Sequence, residues 1–423
     1  MSFKRLRGTH DTWGEEALLF HKIESIAREV FSRFGFEELK TPILEEKELF
    51  TRALGTETDV VQKEMYEFID RSKTAVAMRP EGTAGVVRAY IENNFDKTMG
   101  LAKFFYMGPM FRSERPQAGR LRQFHQIGVE QLGTDNALAD AETIQALTVF
   151  LDEAGAGGYQ VKLNNLGTFE ERSGFKEKLK EYFTPQLKSL CEDCQNRLAK
   201  NPFRILDCKV ETCRQIVRKA PSIREFLTPE SLEHHTKVCK ALDAAGIAYK
   251  EDPYMVRGLD YYTKTVFEIS HSKLGAQDAL AAGGRYDRLI ESFGGTPAGA
   301  VGFAVGVERL AMCVDAGTMP ALTQPGFFMV TLGEKAFEEG FRIVSDLRKN
   351  GVKALMDFSA KSMKSQMRAA DKSKAGYAII LGDDEIVQKE FTLKNLSSGE
   401  QSKKPLGDII TICKSIGKGE WGC

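Results

Sequence analysis

Two strand-like runs, residues 103–112 and 123–132, are joined by a polar segment at residues 113–122. Two extended runs of matched length so joined pair most economically with each other, which predicts an antiparallel hairpin. Strand-like character also appears at residues 74–78, 255–269 and 280–285, and residues 300–305 lead into a helical run over 306–314. The first part of the chain is therefore expected to be an α+β domain built on an antiparallel sheet.

Around this sheet the pattern changes several times. Leu19, Ile23, Ile26, Val30 and Phe34 repeat at helical spacing over residues 15–34. Residues 39–44 read as extended, with Pro42 pushing them to an edge or an interface. Residues 170–250 are charged, mostly helical and rich in cysteine, and read as an insertion into the sheet domain. Pro and Gly mark a linker over 316–326. Beyond it apolar runs at 327–332, 352–356 and 377–381 alternate with helical patterns, which implies a small α/β domain. The expected division is 1–320, interrupted by the helical insertion at about 170–250, and 326–423.

A length of 423 residues exceeds one ordinary core, in keeping with that division. The 59 basic and 59 acidic residues cancel, so net charge advertises no polyanionic partner, although a local basic patch is compatible with neutrality. The N-terminus lacks the apolar stretch of a signal peptide, and no apolar run approaches a membrane span. With most of the cysteines in one region rather than spread as an even framework, a reducing, cytoplasmic location is the expectation.

Alternation along the hairpin selects the chemistry. Phe124, Gln126, Gly128 and Glu130 share one face of the second strand; Tyr106, Gly108, Met110, Arg112 and Glu114 share one face of the first. If the two faces coincide, an aromatic ring, an amide, a carboxylate and an arginine converge, with Gly128 leaving room. The loop adds Arg115, Arg120 and Arg122. A flat ring and arginines suit a base and phosphates, whereas the bland alternative is a solvated hairpin. No phosphate-cradling Gly-rich loop of the Gly-x-x-x-x-Gly-Lys-Ser/Thr type occurs, so any nucleotide would be held by side chains on the sheet.

The segment Phe111-Arg112-Ser113-Glu114-Arg115-Pro116-Gln117, continuing to Phe124-His125-Gln126, resembles the second signature motif of class II aminoacyl-tRNA synthetases in its histidyl form. Val256-Arg257-Gly258-Leu259-Asp260-Tyr261-Tyr262 and Ala282-Gly283-Gly284-Arg285-Tyr286-Asp287 resemble histidine-specific signatures of the histidyl-tRNA synthetase family. Residues 302–310 are similar to the third class II motif and residues 41–45 to the first. Arg79-Pro80-Glu81-Gly82-Thr83 is similar to the family's amino-acid-binding loop. The resemblance runs nearly end to end.

It implies histidine activation by ATP, with Mg²⁺ bridging the phosphates, and transfer of the histidyl group to its tRNA. The attacking carboxylate is already ionised at neutral pH, so the reaction needs alignment and positive charge rather than an activated nucleophile. By resemblance, Arg112 contacts the α-phosphate and the carboxylate, Arg257 approaches the α-phosphate from the histidine side, and Arg309 holds the γ-phosphate end. Phe124 would stack on adenine, with Glu114 and Arg120 beside the nucleotide. Glu130 and Tyr262 would read the imidazole, with Tyr261 nearby. Glu81, Thr83 and Gln126 would hold the α-amino and carboxylate groups, and Tyr286 would line the pocket.

The C-terminal domain resembles the family's anticodon-binding domain. Lys361, Lys364, Arg368 and Lys372 recur at helical spacing there, with Met363, Met367 and Ala370 on another face; such stripes are also commonly mere solvated surface. Arg115 and Gln117 resemble positions that meet the acceptor end of the tRNA. Cys191-x2-Cys194 and Cys208-x4-Cys213 resemble a zinc ribbon with a widened second pair, the alternative being a cluster of reduced thiols. In the family the first motif and the helix before it supply a homodimer interface.

Three rivals stand beside this reading. A catalytically silent regulatory paralogue is expected to lack the C-terminal domain and to lose signature residues, and this chain keeps both. Synthetases for proline or threonine do not need the Arg-Gly-Leu-Asp-Tyr-Tyr pattern. A stand-alone tRNA-sensing module would have no use for the full set of arginines.

Overall fold

The hairpin forms, β5 (Ala102–Phe111) with β6 (Gln123–Leu132), and its register pairs Phe104 with Glu130, Tyr106 with Gly128, Gly108 with Gln126 and Met110 with Phe124. The two polar faces therefore coincide. The structure, a computed structural model, describes residues 3–56, 58–117, 119–258, 261–275, 277–315, 326–359 and 362–420. It divides into two compact units, Met1–Met319 and Pro320–Cys423.

In chain order the other strands of the first unit are β1 (Glu37–Glu38), β2 (Leu44–Glu46), β3 (Glu67–Ile69), β4 (Ala75–Met78), β7 (Tyr159–Asn165), β8 (Tyr249–Glu251), β9 (Thr263–His271), β10 (Ala279–Arg285) and β11 (Ala300–Gly306). Eight of the strands make one sheet in the order β1-β5-β6-β11-β10-β9-β7-β8. Its interior pairings are antiparallel and only the outer strands β1 and β8 run parallel to their neighbours. A small antiparallel sheet, β2-β4-β3, lies apart from it.

Successive side chains of each strand feed different cores. Phe105, Ile127, Val129, Phe303 and Val305 point to one face, where helices Gly14–Arg33, Ala137–Glu153 and Val307–Cys313 cover them. Phe31 is central there, its ring 5.3 Å from Phe150 and 5.6 Å from Phe105. The fully buried stripe of that first helix is Phe20, Ile23, Ala27, Val30 and Phe31, so Leu19, Ile26 and Phe34 flank the stripe rather than form it. Phe104, Tyr106, Met110 and Val266 face the other way, with Tyr261, Tyr262, Tyr286 and helix Thr83–Glu92. This second face carries the candidate site.

Residues 255–269, read as one extended segment, are not. Residues 255–258 form an irregular loop and the strand begins at Thr263, because the preceding backbone turns to deliver Arg257 and the tyrosines. Between β7 and β8 lie helices Phe169–Phe183, Glu192–Lys200, Phe203–Leu206 and Glu211–Val217, with a core of their own around Phe175, Leu179, Phe183 and Leu198. The following helix, Pro229–Ala244, sends Val238 and Leu242 into the main core instead.

The second unit is a five-stranded sheet, β13-β12-β14-β15-β16, of β12 (Phe327–Leu332), β13 (Ala354–Met356), β14 (Tyr377–Gly382), β15 (Glu390–Asn395) and β16 (Gln401–Pro405). The first three strands are parallel and the last two antiparallel. Helices Glu334–Lys349 and Met363–Lys372 pack on it. The second helix buries Gln366 and Ala370, whereas Met363 is exposed. Gln366 replaces the expected apolar contact because its amide makes two hydrogen bonds to the backbone of Thr331, at 2.9 and 2.8 Å. The linker read over 316–326 falls, but for Gly326, outside the described residues.

Candidate active site

A cavity of about 420 Å³ opens on the second face of the large sheet. It collects Glu81 and Thr83 from the segment after β4, Arg112, Glu114 and Arg120 from the hairpin loop, and Phe124, Gln126 and Glu130 from β6. Arg257, Tyr261 and Tyr262 come from the loop before β9, Tyr286 from the end of β10, and Arg309 from the helix after β11. Residues far apart in sequence thus share one wall because neighbouring antiparallel strands and the segments between them deliver them to it.

Glu130 is the polar centre of the closed end. It is fully buried; its carboxylate accepts a hydrogen bond from the Thr83 hydroxyl at 2.7 Å and another, short, from the Tyr286 hydroxyl. Burial pushes its pKa up to about 8, against the stabilising pull of those two donors. Tyr286, expected only to line the pocket, is the phenol on Glu130. Tyr261 and Tyr262 lie beside it with their rings tilted, centroids 4.6 Å apart, and Tyr261 meets Tyr286 edge-on at 5.6 Å. Burial raises all three phenol pKa values. An added Cβ at Gly302 would lie 1.8 Å from the Glu130 carboxylate, so glycine is required there. Gly128 makes room for the Tyr106 ring, 2.4 Å from where a Cβ would sit, and not for a ligand.

Glu81 is also buried. Its carboxylate accepts from the backbone N–H groups of Thr83 and Ala84 at 2.6 and 2.9 Å, closing the start of helix Thr83–Glu92. Burial nevertheless holds its pKa above the ordinary carboxylate value. Two buried polar atoms of the cavity residues, Gln126 Oε1 and Arg257 Nε, have no hydrogen-bond partner among the described residues. One accepts and the other donates.

At the open end Arg112 donates from Nε to the Pro80 carbonyl at 2.9 Å and lies 5.4 Å from the Phe124 ring centroid, a cation–π contact. Arg257 pairs with Glu268 at 2.8 Å. Arg309 donates to the carbonyls of Ala279 at 2.8 Å and Gln277, and burial beside Arg120 lowers its pKa. Arg120 bridges Glu114 at 3.3 Å and Gln277 at 3.1 Å. Arg115 and Gln117 are exposed on the loop. Lys364 and Arg368 are exposed on their helix in the second unit, while Lys361 lies outside the described residues.

Other lining residues had no sequence signal. Asp59, Glu64 and Arg204 belong to no recognised pattern yet line the cavity. Glu308 accepts from the backbone N–H of His125 at 2.9 Å and contacts its Nδ1 at 2.9 Å, locking β6 to the helix that bears Arg309. Arg285, within a signature segment, is not in the cavity. It is fully buried on Asp140, with Nε 3.0 Å from Oδ1, and His234 meets the same carboxylate at 2.7 Å. Burial alone would raise the Asp140 pKa, but Arg285 and His234 hold it low. In the insertion, the Sγ atoms of Cys191, Cys194, Cys208 and Cys213 all lie within 4.8 Å of one another, without a disulfide.

An antiparallel sheet of this order, with arginines from three separate segments over a buried polar pocket, is the architecture of a class II aminoacyl-tRNA synthetase. A family model described as "Histidyl-tRNA synthetase" matches residues 8–310, and one described as "Anticodon binding domain" matches residues 327–416. The chain is 42% identical to a "Histidine--tRNA ligase" of Thermodesulfovibrio yellowstonii, over 98% of this chain and 99% of the relative. It is 46% identical to one of Solidesulfovibrio magneticus, over 94% of each. Its fold matches the crystal structure of apo histidyl-tRNA synthetase from S. aureus with a TM-score of 0.81, at 33% identity, covering 98% of this chain and all of that one. The chain belongs to the histidyl-tRNA synthetase family.

Proposed function

We propose that this chain ligates L-histidine to its tRNA through a histidyl-adenylate. Two residues that line the cavity each leave a buried polar atom unpartnered, Gln126 Oε1 and Arg257 Nε, and these carry the assignment to an amino acid. An ammonium needs an acceptor and a carboxylate a donor, and a zwitterion satisfies both at once. Beyond them, the Glu130 carboxyl with the tyrosines suits a ring that offers one donor and one acceptor nitrogen.

In the first step the histidine carboxylate attacks the α-phosphorus of ATP. A carboxyl–phosphate bond forms, the bond to the pyrophosphate leaving group breaks, and charge builds on phosphate oxygens. Arg112 and Arg257 offset that charge near the α-phosphate and Arg309 at the γ-phosphate end, while Phe124 supports adenine. The terminal adenosine hydroxyl of the tRNA then attacks the acyl carbon and AMP leaves. Enzymes of this family use ATP with Mg²⁺, and oxygen donors fit that ion: Glu64 and Glu114 line the wall. Burial and then repulsion from Glu114 raise the Glu64 pKa, a cost that a bound cation would offset. These two would hold Mg²⁺, which when bound neutralises phosphate charge.

The division 1–320 and 326–423, with the helical insertion, serves catalysis and anticodon binding respectively. Arg115 and Gln117 face the acceptor end, and Lys361, Lys364 and Arg368 meet tRNA phosphates. The four-cysteine cluster belongs to this reading as a structural Zn²⁺ site. A reducing cytoplasm belongs to this reading; the seven described cysteines are unbridged, and among the described residues no helix is long and apolar enough to cross a membrane. Ile43, Leu44, Phe68 and Ile69 are exposed on and beside the small sheet, in support of a homodimer through that region. The anticodon-domain match and the retained arginines argue against a silent regulatory paralogue.

Pyrophosphate exchange tests the assignment. Histidine should drive exchange far faster than proline; equal rates would reject the specificity.

A further inference from the structure

We propose that Zn²⁺ on Cys191, Cys194, Cys208 and Cys213 fastens the insertion so that Arg204 is carried to the wall of the aminoacylation cavity, where its charge offsets Asp59 and admits the triphosphate. The proposal rests on the adenylate-forming reading of that cavity and adds to it a positioning device built from the insertion.

The cage geometry comes first. Zinc–thiolate bonds of about 2.3 Å give a tetrahedron with edges of about 3.8 Å. Cys191 and Cys208 are already 3.8 Å apart, and all four sulfurs fall within 4.8 Å. Three of them are buried, and the Cys191 backbone N–H donates to Cys213 Sγ at 3.2 Å, the kind of support that orients a metal thiolate. A borderline-soft ion with tetrahedral preference suits four thiolates, whereas Mg²⁺ does not. The insertion is also too small to sustain a large core unaided, and Cys194, Cys208 and Cys213 are buried members of the one it has.

The cage closes around Arg204. Cys194 precedes it on helix Glu192–Lys200, Cys208 follows it two residues after helix Phe203–Leu206, and Arg197 donates to the Arg204 carbonyl at 3.2 Å. Ile205 and Leu206 are buried in the insertion core. The guanidinium leaves that core and pairs with Asp59 at 2.7 Å, both residues lining the cavity beside Glu64 and Glu114. Without Arg204, Asp59 would add an uncompensated negative charge to a wall that already holds two carboxylates and faces a triphosphate. The same core braces the histidine side. The Tyr254 hydroxyl shares its proton between the carbonyls of Arg218 and Ala220, at 3.2 and 3.1 Å, and Val256 packs on the core one residue before Arg257.

Zinc in the purified full chain, measured by plasma mass spectrometry, should approach one equivalent; less than about a tenth overturns the metal site. Arg204→Ala should keep that zinc and raise the KM for ATP in histidine-dependent exchange roughly tenfold, with kcat and the histidine KM little changed. Adding Asp59→Asn should restore most of the ATP KM, a rescue that a purely structural role for Arg204 does not predict. Chelation of the wild-type chain, followed by removal of the chelator and return of Mg²⁺, should raise the ATP KM at least as far as Arg204→Ala does and the histidine KM with it, and Zn²⁺ should reverse both. An unchanged ATP KM in zinc-replete Arg204→Ala, or no rescue by Asp59→Asn, overturns the clamp. Loss of histidine-dependent exchange in untreated wild type would instead overturn the reading of the cavity.

Discussion

Glu130→Ala separates recognition of the ring from binding of the nucleotide. Glu130 touches Thr83 and Tyr286 and lies on the second hairpin strand six residues from Phe124, so its loss leaves the contacts of Arg112 and Arg309 in place. Leaving a buried ring nitrogen without its hydrogen-bond partner costs about 1–3 kcal/mol, which converts to roughly 5- to 10²-fold in the histidine KM. The ATP KM should change less than about threefold. The two orphaned hydroxyls cost about 1–3 kcal/mol each in stability, a loss visible in urea unfolding and separate from binding. Glu130→Gln keeps one acceptor oxygen, for one of the two hydroxyls, and turns an N–H donor toward the other, so it should recover part of both. Pyrophosphate exchange with each substrate varied in turn measures the split. Equal rises in the two KM values, or a fall in kcat with both unchanged, would refute the assignment of Glu130 to the ring.

Other perturbations bear on neighbouring parts of the argument. The folded pKa of Glu130 lies near 8, above its ordinary 4.5, so the folded state keeps a proton that the unfolded chain releases. The associated stability is fully present below pH 4.5 and is lost as pH rises through about 8, up to roughly 5 kcal/mol. The stability of wild type relative to Glu130→Gln should therefore fall across that window; a constant difference would contradict the shift. Arg285→Ala leaves Asp140 charged and buried and should cost about 3–5 kcal/mol in urea unfolding, where a cost below about 1 kcal/mol would deny the strut. Gly302→Ala places a Cβ 2.4 Å from the Val129 carbonyl as well as against Glu130, so calorimetric histidine binding should be lost in whatever protein folds. Lys364→Glu with Arg368→Glu should raise the tRNA KM in charging assays and leave pyrophosphate exchange untouched.

Period two made the hairpin legible. It fixed which side chains share a face, and the register from Phe104–Glu130 to Met110–Phe124 joined the two faces. Helical period three to four is a coarser guide: in the first helix it found the right side but placed Phe34 on the stripe where Phe31 belongs. Side chains that meet only through tertiary folding gave no signal. Tyr286 reaches Glu130 across 156 residues and Arg204 reaches Asp59 across 145, and nothing local requires either. Glycines misled by their ambiguity, since room at Gly128 can serve a ligand or a tyrosine and here serves Tyr106. Gln366 was overlooked because an amide can replace an apolar residue inside a helix–sheet contact when both its groups find backbone partners.

The joining of histidine to tRNA is tested most directly by charging. Purified chain, ATP, Mg²⁺, labelled histidine and bulk bacterial tRNA should yield label bound to tRNA through a base-labile ester, with one AMP formed for each histidine attached. Formation of adenylate without transfer, or charging by another amino acid in place of histidine, would contradict the account.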